Sequence, residues 1–386
     1  MRIVEIREVA VHLDQAIANA VVDFSRHTIS LVALVSDQVR NGRAVCGVAF
    51  NSIGRFAQSG IVQDRLIPRI AAMPPEDYAG TDGTLSPARL ARAMMRDEKP
   101  GGHGDRASAI AAIELAAWDL KAKLLDEPAF STVARAFGRD HSIGMHVYAA
   151  GGYYHPDDGI NRLRGELNGY REAGFTDVKI KIGGAPWSQD AARIEAAIEV
   201  FGSAARVAVD ANGRFGRTQA TGLGRELAQY GLRWYEEPCD PLDYSTLREL
   251  SQSYPHPLAT GENLFSLPDS INLLRYGGMR PGVDIFQMDA GLSYGLTEYA
   301  GIIAALEAAG HDRSQAMPHG GHMINLHIVA GLNLGGCEAY PAVFQPFGGY
   351  LPDLVIENGM INLPQQPGFG LEFKPELAPH IERLIA

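Results

Sequence analysis

The sequence predicts an α/β fold in which most of the chain forms a (β/α) barrel, preceded by an α+β region. Three observations carry this expectation: eight strand-like segments within about 200 residues, helical stretches between them, and a strand-only texture up to about residue 50. Repeated βα units imply parallel strands joined by crossover helices. Eight of them suit a closed ring better than an open sheet. A length of 386 residues with 46% hydrophobic residues supplies core enough for two domains, or one large one with additions.

Residues 1–135 read as a sheet followed by helices. RIVEIREVAVHL, HTISLVALVSD and RAVCGVAFNS mix β-branched and apolar residues at short range, with turn residues such as Asn41-Gly42 between them. RASAIAAIELAAWDLKAKLL, residues 106–125, carries Ala and Leu at helical spacing on all sides, which implies a deeply buried helix. Residues 140–350 alternate strand and helix. The strand candidates are HVYAAGG, DVKIKIGG, RVAVDANG, LRWYEEP, HPLATGEN, VDIFQMDAG, SQAMPHGG and LGGCEAYP, with helices such as SQDAARIEAAIEVFG and TEYAGIIAALEAAG between them. Residues 351–386 return to strand and loop character and are expected to pack back on the first region.

Forty-five acids against 34 Lys+Arg give a net charge of −11. That balance argues against a nucleic-acid or anionic-membrane binder, since both need a basic face. No apolar run approaches the roughly 18 residues of a membrane span, and MRIVEIREVAVHL lacks the apolar core of a secretory signal. Cys46, Cys239 and Cys337 stand alone without CxxC spacing, so neither a disulfide framework nor a zinc knuckle is expected. The expectation is a soluble cytoplasmic protein.

Each strand candidate of the second region carries a polar residue near its end: Tyr148, Lys181, Asp210, Glu236, Glu262, Asp289, His319 and Glu338. Most gaps lie between 26 and 33 residues, about one βα unit, and the last is 19. In a barrel such positions converge at the carboxyl-terminal mouth. Asp210, Glu236 and Glu262 recur every 26 residues, and three carboxylates on one mouth repel unless a cation sits among them. Oxygen ligands of this kind suit Mg²⁺, or Mn²⁺ in its place. If Glu236 points in, strand alternation turns Glu237 the other way.

In Val178-Lys179-Ile180-Lys181-Ile182 both lysines share one face. Two ammonium groups close together beside a metal would each disfavour the other's proton, so Lys181, nearer the strand end, becomes the expected base. His319 follows its strand directly, with His322 as competitor in the same loop, and Asp289 at the neighbouring strand end could hold the imidazole's tautomer.

This ordered set, Lys-x-Lys, Asp, Glu-Glu-Pro, Gly-Glu-Asn, Asp and Pro-His, resembles the enolase superfamily, specifically its mandelate racemase branch. The resemblance implies a (β/α)₇β TIM-type barrel with an α+β capping domain formed by the amino-terminal region and the carboxyl-terminal tail. It also implies metal ligands at Asp210, Glu236 and Glu262, bases at Lys181 and at the His319–Asp289 pair, and Lys179 near the substrate carboxylate. Glu338 resembles the last-strand acid that hydrogen-bonds that carboxylate. Glu98-Lys-Pro-Gly-Gly-His-Gly104 and Tyr148-Ala-Ala-Gly-Gly-Tyr-Tyr154 extend the likeness to the branch's D-tartrate dehydratases.

The implied activity is a hydro-lyase: Mg²⁺-dependent dehydration of a small anionic 2,3-dihydroxy acid, D-tartrate leading. Lys181 would take the proton beside the carboxylate, Lys179 and a protonated Glu338 would stabilise the charge that develops, and His319 would protonate the departing 3-hydroxyl. Asn51, Arg55 and Lys99 are candidates for a second substrate carboxylate. A racemase or epimerase with the same two bases is the nearest alternative, and a non-catalytic metal-stabilised binding protein is one of another class. The resemblance also implies a homo-oligomer.

Overall fold

In the computed structural model, residues 1–13, 17–142, 144–155 and 159–386 are described. Strands β1 (Ile3–His12), β2 (Thr28–Arg40) and β3 (Arg43–Phe50) form an antiparallel sheet in the order β1-β2-β3. The buried helix Asp105–Leu125 lies across β3 and β2. It comes so close that a Cβ on Gly47 would stand 2.1 Å from the Ala116 carbonyl oxygen. Only glycine permits that approach, and the Ala-rich helix face matches it.

The larger sheet contains β4 (Gly144–Gly151), β5 (Val178–Lys181), β6 (Val207–Asp210), β7 (Tyr235–Glu236), β8 (Leu258–Thr260) and β9 (Ile285–Phe286), all parallel and in chain order. Strand β10 (Cys337–Ala339) pairs with β4 from the other side, also parallel. The α/β class with a parallel sheet therefore holds. The seventh expected strand, SQAMPHGG, forms no regular strand. Its Met317 and His319 N–H groups donate to Phe286 and Gln287 of the preceding unit, while Gly335, next to β10, donates to Ala316. Both ends of the parallel ladder thus meet on one segment.

The tail divides between the two sheets. β11 (Ile356–Glu357) and β12 (Met360–Asn362) form a hairpin whose second strand pairs antiparallel with β4. The terminal helix Ala378–Ile385 packs instead on β1 and β2. Among the described residues no helix is long and apolar enough to cross a membrane.

Candidate active site

Strand register assembles the first part of the site. Lys181 pairs with Asp210 and Asp210 with Glu236 across β5, β6 and β7, so three chemically active side chains stand in one row. Short parallel strands end together because each passes at once into a turn, and adjacent strands lie about 4.8 Å apart. Glu262 follows β8 by two residues. Ligand oxygens of Asp210, Glu236 and Glu262 all lie within 4.8 Å of one another.

Asp210 and Glu236 are wholly buried, and the buried Oε2 of Glu262 accepts no hydrogen bond from the described residues. A buried carboxylate oxygen without a donor is costly. Burial and the neighbouring Asp210 charge push Glu236 up to about 8. Oxygen donors crowded in this way fit a hard divalent cation such as Mg²⁺.

Two lysines face the acids. Lys179 Nζ donates to Glu236 Oε1 at 2.6 Å and lies 2.7 Å from Glu338 Oε1. Lys181 Nζ donates to Asp210 Oδ2 at 2.5 Å. Burial pulls Lys181 down and the Lys179 charge does lower its proton affinity, as expected, but the Asp210 carboxylate and other groups outweigh both and the net direction is up. The expectation for Glu338 is corrected. Burial alone would raise its pKa, yet Lys179 and His319 bring it down to about 2, and its Oε2 accepts the Gly320 N–H at 2.8 Å. That direction favours the carboxylate over the protonated donor expected from sequence.

His319 Nδ1 lies 3.1 Å from Asp289 Oδ2, and its Nε2 is 3.0 Å from the Tyr340 hydroxyl and 3.9 Å from Glu262 Oε2. Burial opposes its charge, but Glu262 and Asp289 prevail and raise it to about 9. Lys181 therefore stands at the Asp210 end of the acidic group and His319 at the Glu262 end. His322, the competitor in the same loop, is engaged in a helix cap. It is the N-cap of helix Met323–Leu332, and its Nδ1 accepts the Asn325 N–H at 3.4 Å.

Glu237 departs from the alternation expected for a strand. β7 stops at Glu236, Glu237 takes a φ of 38°, and its carboxylate accepts from Asn263 Nδ2 at 2.9 and 3.0 Å. It adds a fourth acid to the cluster, and burial with the Glu262 charge pushes it well above the usual range.

The residues expected from the amino-terminal region separate. Arg55 reaches the mouth, with its guanidinium 3.4 Å from Asn263 Oδ1 and 4.4 Å from the Phe265 ring centroid. Asn51 is already committed. Its Oδ1 accepts the Ser30 N–H and its Nδ2 donates to the Arg55 and Phe56 carbonyls, so it braces the loop. Lys99 is exposed, and its carbonyl accepts from Arg106 Nη1 at 3.0 Å. Sequence reasoning missed Trp234 and Gln287, which donate to Glu236 Oε2 at 2.8 and 2.9 Å, and Tyr340. Each lies two residues from a candidate already singled out, so the period of two was the available signal.

The family model described as Enolase C-terminal domain-like matches residues 162–377. The chain belongs to this family. The matched stretch of the enolase C-terminal domain-like fold spans every candidate from Lys179 to Glu338 and leaves Asn51, Arg55 and Lys99 outside it. Over 281 residues the chain is 27% identical to the arabinonate dehydratase of Saccharolobus solfataricus, covering 70% of this chain and 71% of the relative. Its fold matches a racemase from Streptomyces coelicolor A3(2) with bound magnesium at a TM-score of 0.77, with 21% identity over 98% of each chain. It also matches L-talarate dehydratase from Polaromonas sp. JS666, complexed with Mg and L-glucarate, at a TM-score of 0.75. Identity there is 23%, over 97% of this chain and 95% of the other.

Proposed function

We propose that this protein is a Mg²⁺-dependent hydro-lyase that dehydrates a 2,3-dihydroxy acid. The observation that carries the reading is the placement of Lys181 and His319 at opposite ends of a buried carboxylate group. Two proton-handling groups flanking a divalent-cation cluster are what removal of a proton beside a carboxylate and loss of a hydroxyl require. The dehydratase relative and the neighbour complexed with an acid sugar support it.

In this reading Asp210, Glu236 and Glu262 hold the cation. Bound there, it would stabilise the negative charge developing on the substrate carboxylate and offset the Asp210 charge that keeps Lys181 protonated. Lys181 takes the C2 proton. Lys179, held charged between Glu236 and Glu338, faces the carboxylate where that charge grows. As the C3–O bond breaks, His319, oriented by Asp289, gives its Nε2 proton to the departing hydroxyl, which leaves as water. The enol that remains tautomerises to a 2-keto acid. D-tartrate, yielding oxaloacetate, is the leading substrate on the strength of the EKPGGHG and YAAGGYY segments. Arg55 at the mouth is the cap's candidate for a second carboxylate.

The test is a library of mono- and diacid sugars incubated with Mg²⁺ in ²H₂O, read for keto acid and for deuterium at C2. Keto acid from D-tartrate supports the full reading, and from another acid sugar the class alone. Exchange or inversion without keto acid would favour the racemase reading and sink this one. The three unpaired cysteines support a reducing, cytoplasmic location. A homo-oligomer remains part of the proposal on the family resemblance.

A further inference from the structure

Ser52 lies two residues past β3, on the amino-terminal side of the molecule, and is wholly buried. Its N–H donates to the carbonyl of Gly291, two residues beyond Asp289. Its Oγ is 3.1 Å from His322 Nε2 and lies beside the Asp289 carboxylate. The crowding around Gly320 shows the same convergence. A Cβ there would lie 2.8 Å from both Asp289 Oδ2 and Ser52 Oγ.

Donor counting gives every bond in this group a direction. His322 Nδ1 accepts the Asn325 N–H, so a neutral ring carries its proton on Nε2 and donates it to Ser52 Oγ. Burial keeps His322 neutral, bringing its pKa down to about 4. An ionised Asp289 can only accept, so a proton shared between it and Ser52 Oγ belongs to the serine hydroxyl. Asp289 also accepts the Gly291 N–H at 2.8 Å and Asn325 Nδ2 at 3.3 Å. Its remaining capacity is directed at His319 Nδ1.

We propose that Ser52 is a positioning residue for the Asp289–His319 pair, through the directed chain His322 Nε2–H to Ser52 Oγ–H to Asp289. The amino-terminal region thereby completes the acid–base half of a site otherwise built from the barrel. His322 serves as the fixed donor at the far end, not as a second base. This rests on the reading of His319 as the proton donor to the departing hydroxyl.

Two substitutions separate this role from simple helix capping. His322→Asn keeps an acceptor suited to the helix N-cap but removes the donor to Ser52. His322→Gln keeps an amide donor near the Nε2 position and weakens the cap. In the full-length enzyme, Ser52→Ala and His322→Asn are expected to lower kcat about tenfold or more with KM little changed, as misplacement of a proton donor does. His322→Gln should retain kcat within about threefold while melting below His322→Asn. Histidine ¹⁵N NMR of the wild type should show the Nε2-protonated tautomer at His322, and Ser52→Ala should shift the hydrogen-bonded Nδ1 proton of His319.

A kcat that follows helix stability, a wild-type kcat in Ser52→Ala, or an Nδ1-protonated His322 would each overturn the proposal. The NMR readout needs no substrate. The expected spectra without turnover of any acid sugar would sink the dehydratase reading alone, while dehydration unaffected by Ser52→Ala would sink the relay alone.

Discussion

The two halves of the site are built by different means. The lysine half comes from β5, β6 and β7, whose register sets Lys181, Asp210 and Glu236 side by side. Its charges are paired within the barrel. The histidine half comes from loops: Asp289 lies three residues beyond β9, and His319 sits on a segment without a regular strand. That half is braced from the amino-terminal region. Ser52 bonds the His322 ring and the Gly291 carbonyl, Arg106 Nε donates to the Tyr294 hydroxyl, and Glu114 accepts the Leu296 and Thr297 N–H groups where the next helix begins. A group held by strand pairing needs no outside support. One held by loops gets its precision from whatever packs on them.

If the halves are chemically distinct, single substitutions should divide the reaction. Lys181→Ala is expected to lower both deuterium exchange at C2 and keto-acid formation by about 10³-fold. His319→Asn should lower keto-acid formation by a similar factor while exchange through Lys181 persists. Proton NMR of the substrate in ²H₂O beside a keto-acid assay reads both. Wild-type rates in either variant would refute the assigned roles.

In the proposed function the metal would sit between the halves. Glu262→Gln should weaken Mg²⁺ binding by at least the ~10-fold typical of losing an outer-shell partner, measured by calorimetry after chelator treatment. Unchanged affinity would remove Glu262 from the ligand set.

Gly320 sharpens the contrast in packing. Its φ is 101°, and a Cβ would stand 2.6 Å from Asn325 Nδ2 and 2.8 Å from Asp289 Oδ2. Gly320→Ala should cost ~2 kcal/mol in chemical denaturation and disturb the histidine half, leaving Mg²⁺ affinity at the acidic group intact. Loss of metal binding would show the halves to be coupled.

A last effect is a pH dependence of stability from the helix beside His319. Burial holds His322 down near 4 and His327 near 3, against 6.5 for an ordinary histidine. Between those values the unfolded chain binds more protons than the folded one, so stability is full above about 6.5 and falls as pH drops through 4. Thermal melts at descending pH should show this decline, and His327→Phe should flatten it. A slope unchanged by that substitution would assign the effect elsewhere.

Much of the lysine half was legible in the sequence. A period of two places Lys179 and Lys181 on one face, and βα spacing brings Asp210 and Glu236 to neighbouring strand ends. Even Trp234 and Gln287 follow that period. The small sheet was legible too, since its strands alternate and its turn residues are plain. Glu237 was misread because the strand ended one residue sooner than its pattern implied. Asn51 was misread because nothing local shows that its amide is spent on Ser30 and on the Arg55 and Phe56 carbonyls. Ser52 gave no sign at all, because its partner His322 is 270 residues away along the chain.

The sequence by itself determined the class of fold, the order of the barrel units and the kinds of side chain brought to the mouth. These follow from periodicity and spacing, which are local properties of a chain. The tertiary structure decided which groups carry charge and which way each hydrogen bond runs. Asp210 raises the proton affinity of Lys181, Lys179 lowers that of Glu338, and burial lowers that of His322. Protonation is set by the field of neighbours a few ångströms away, and those neighbours come from remote parts of the chain.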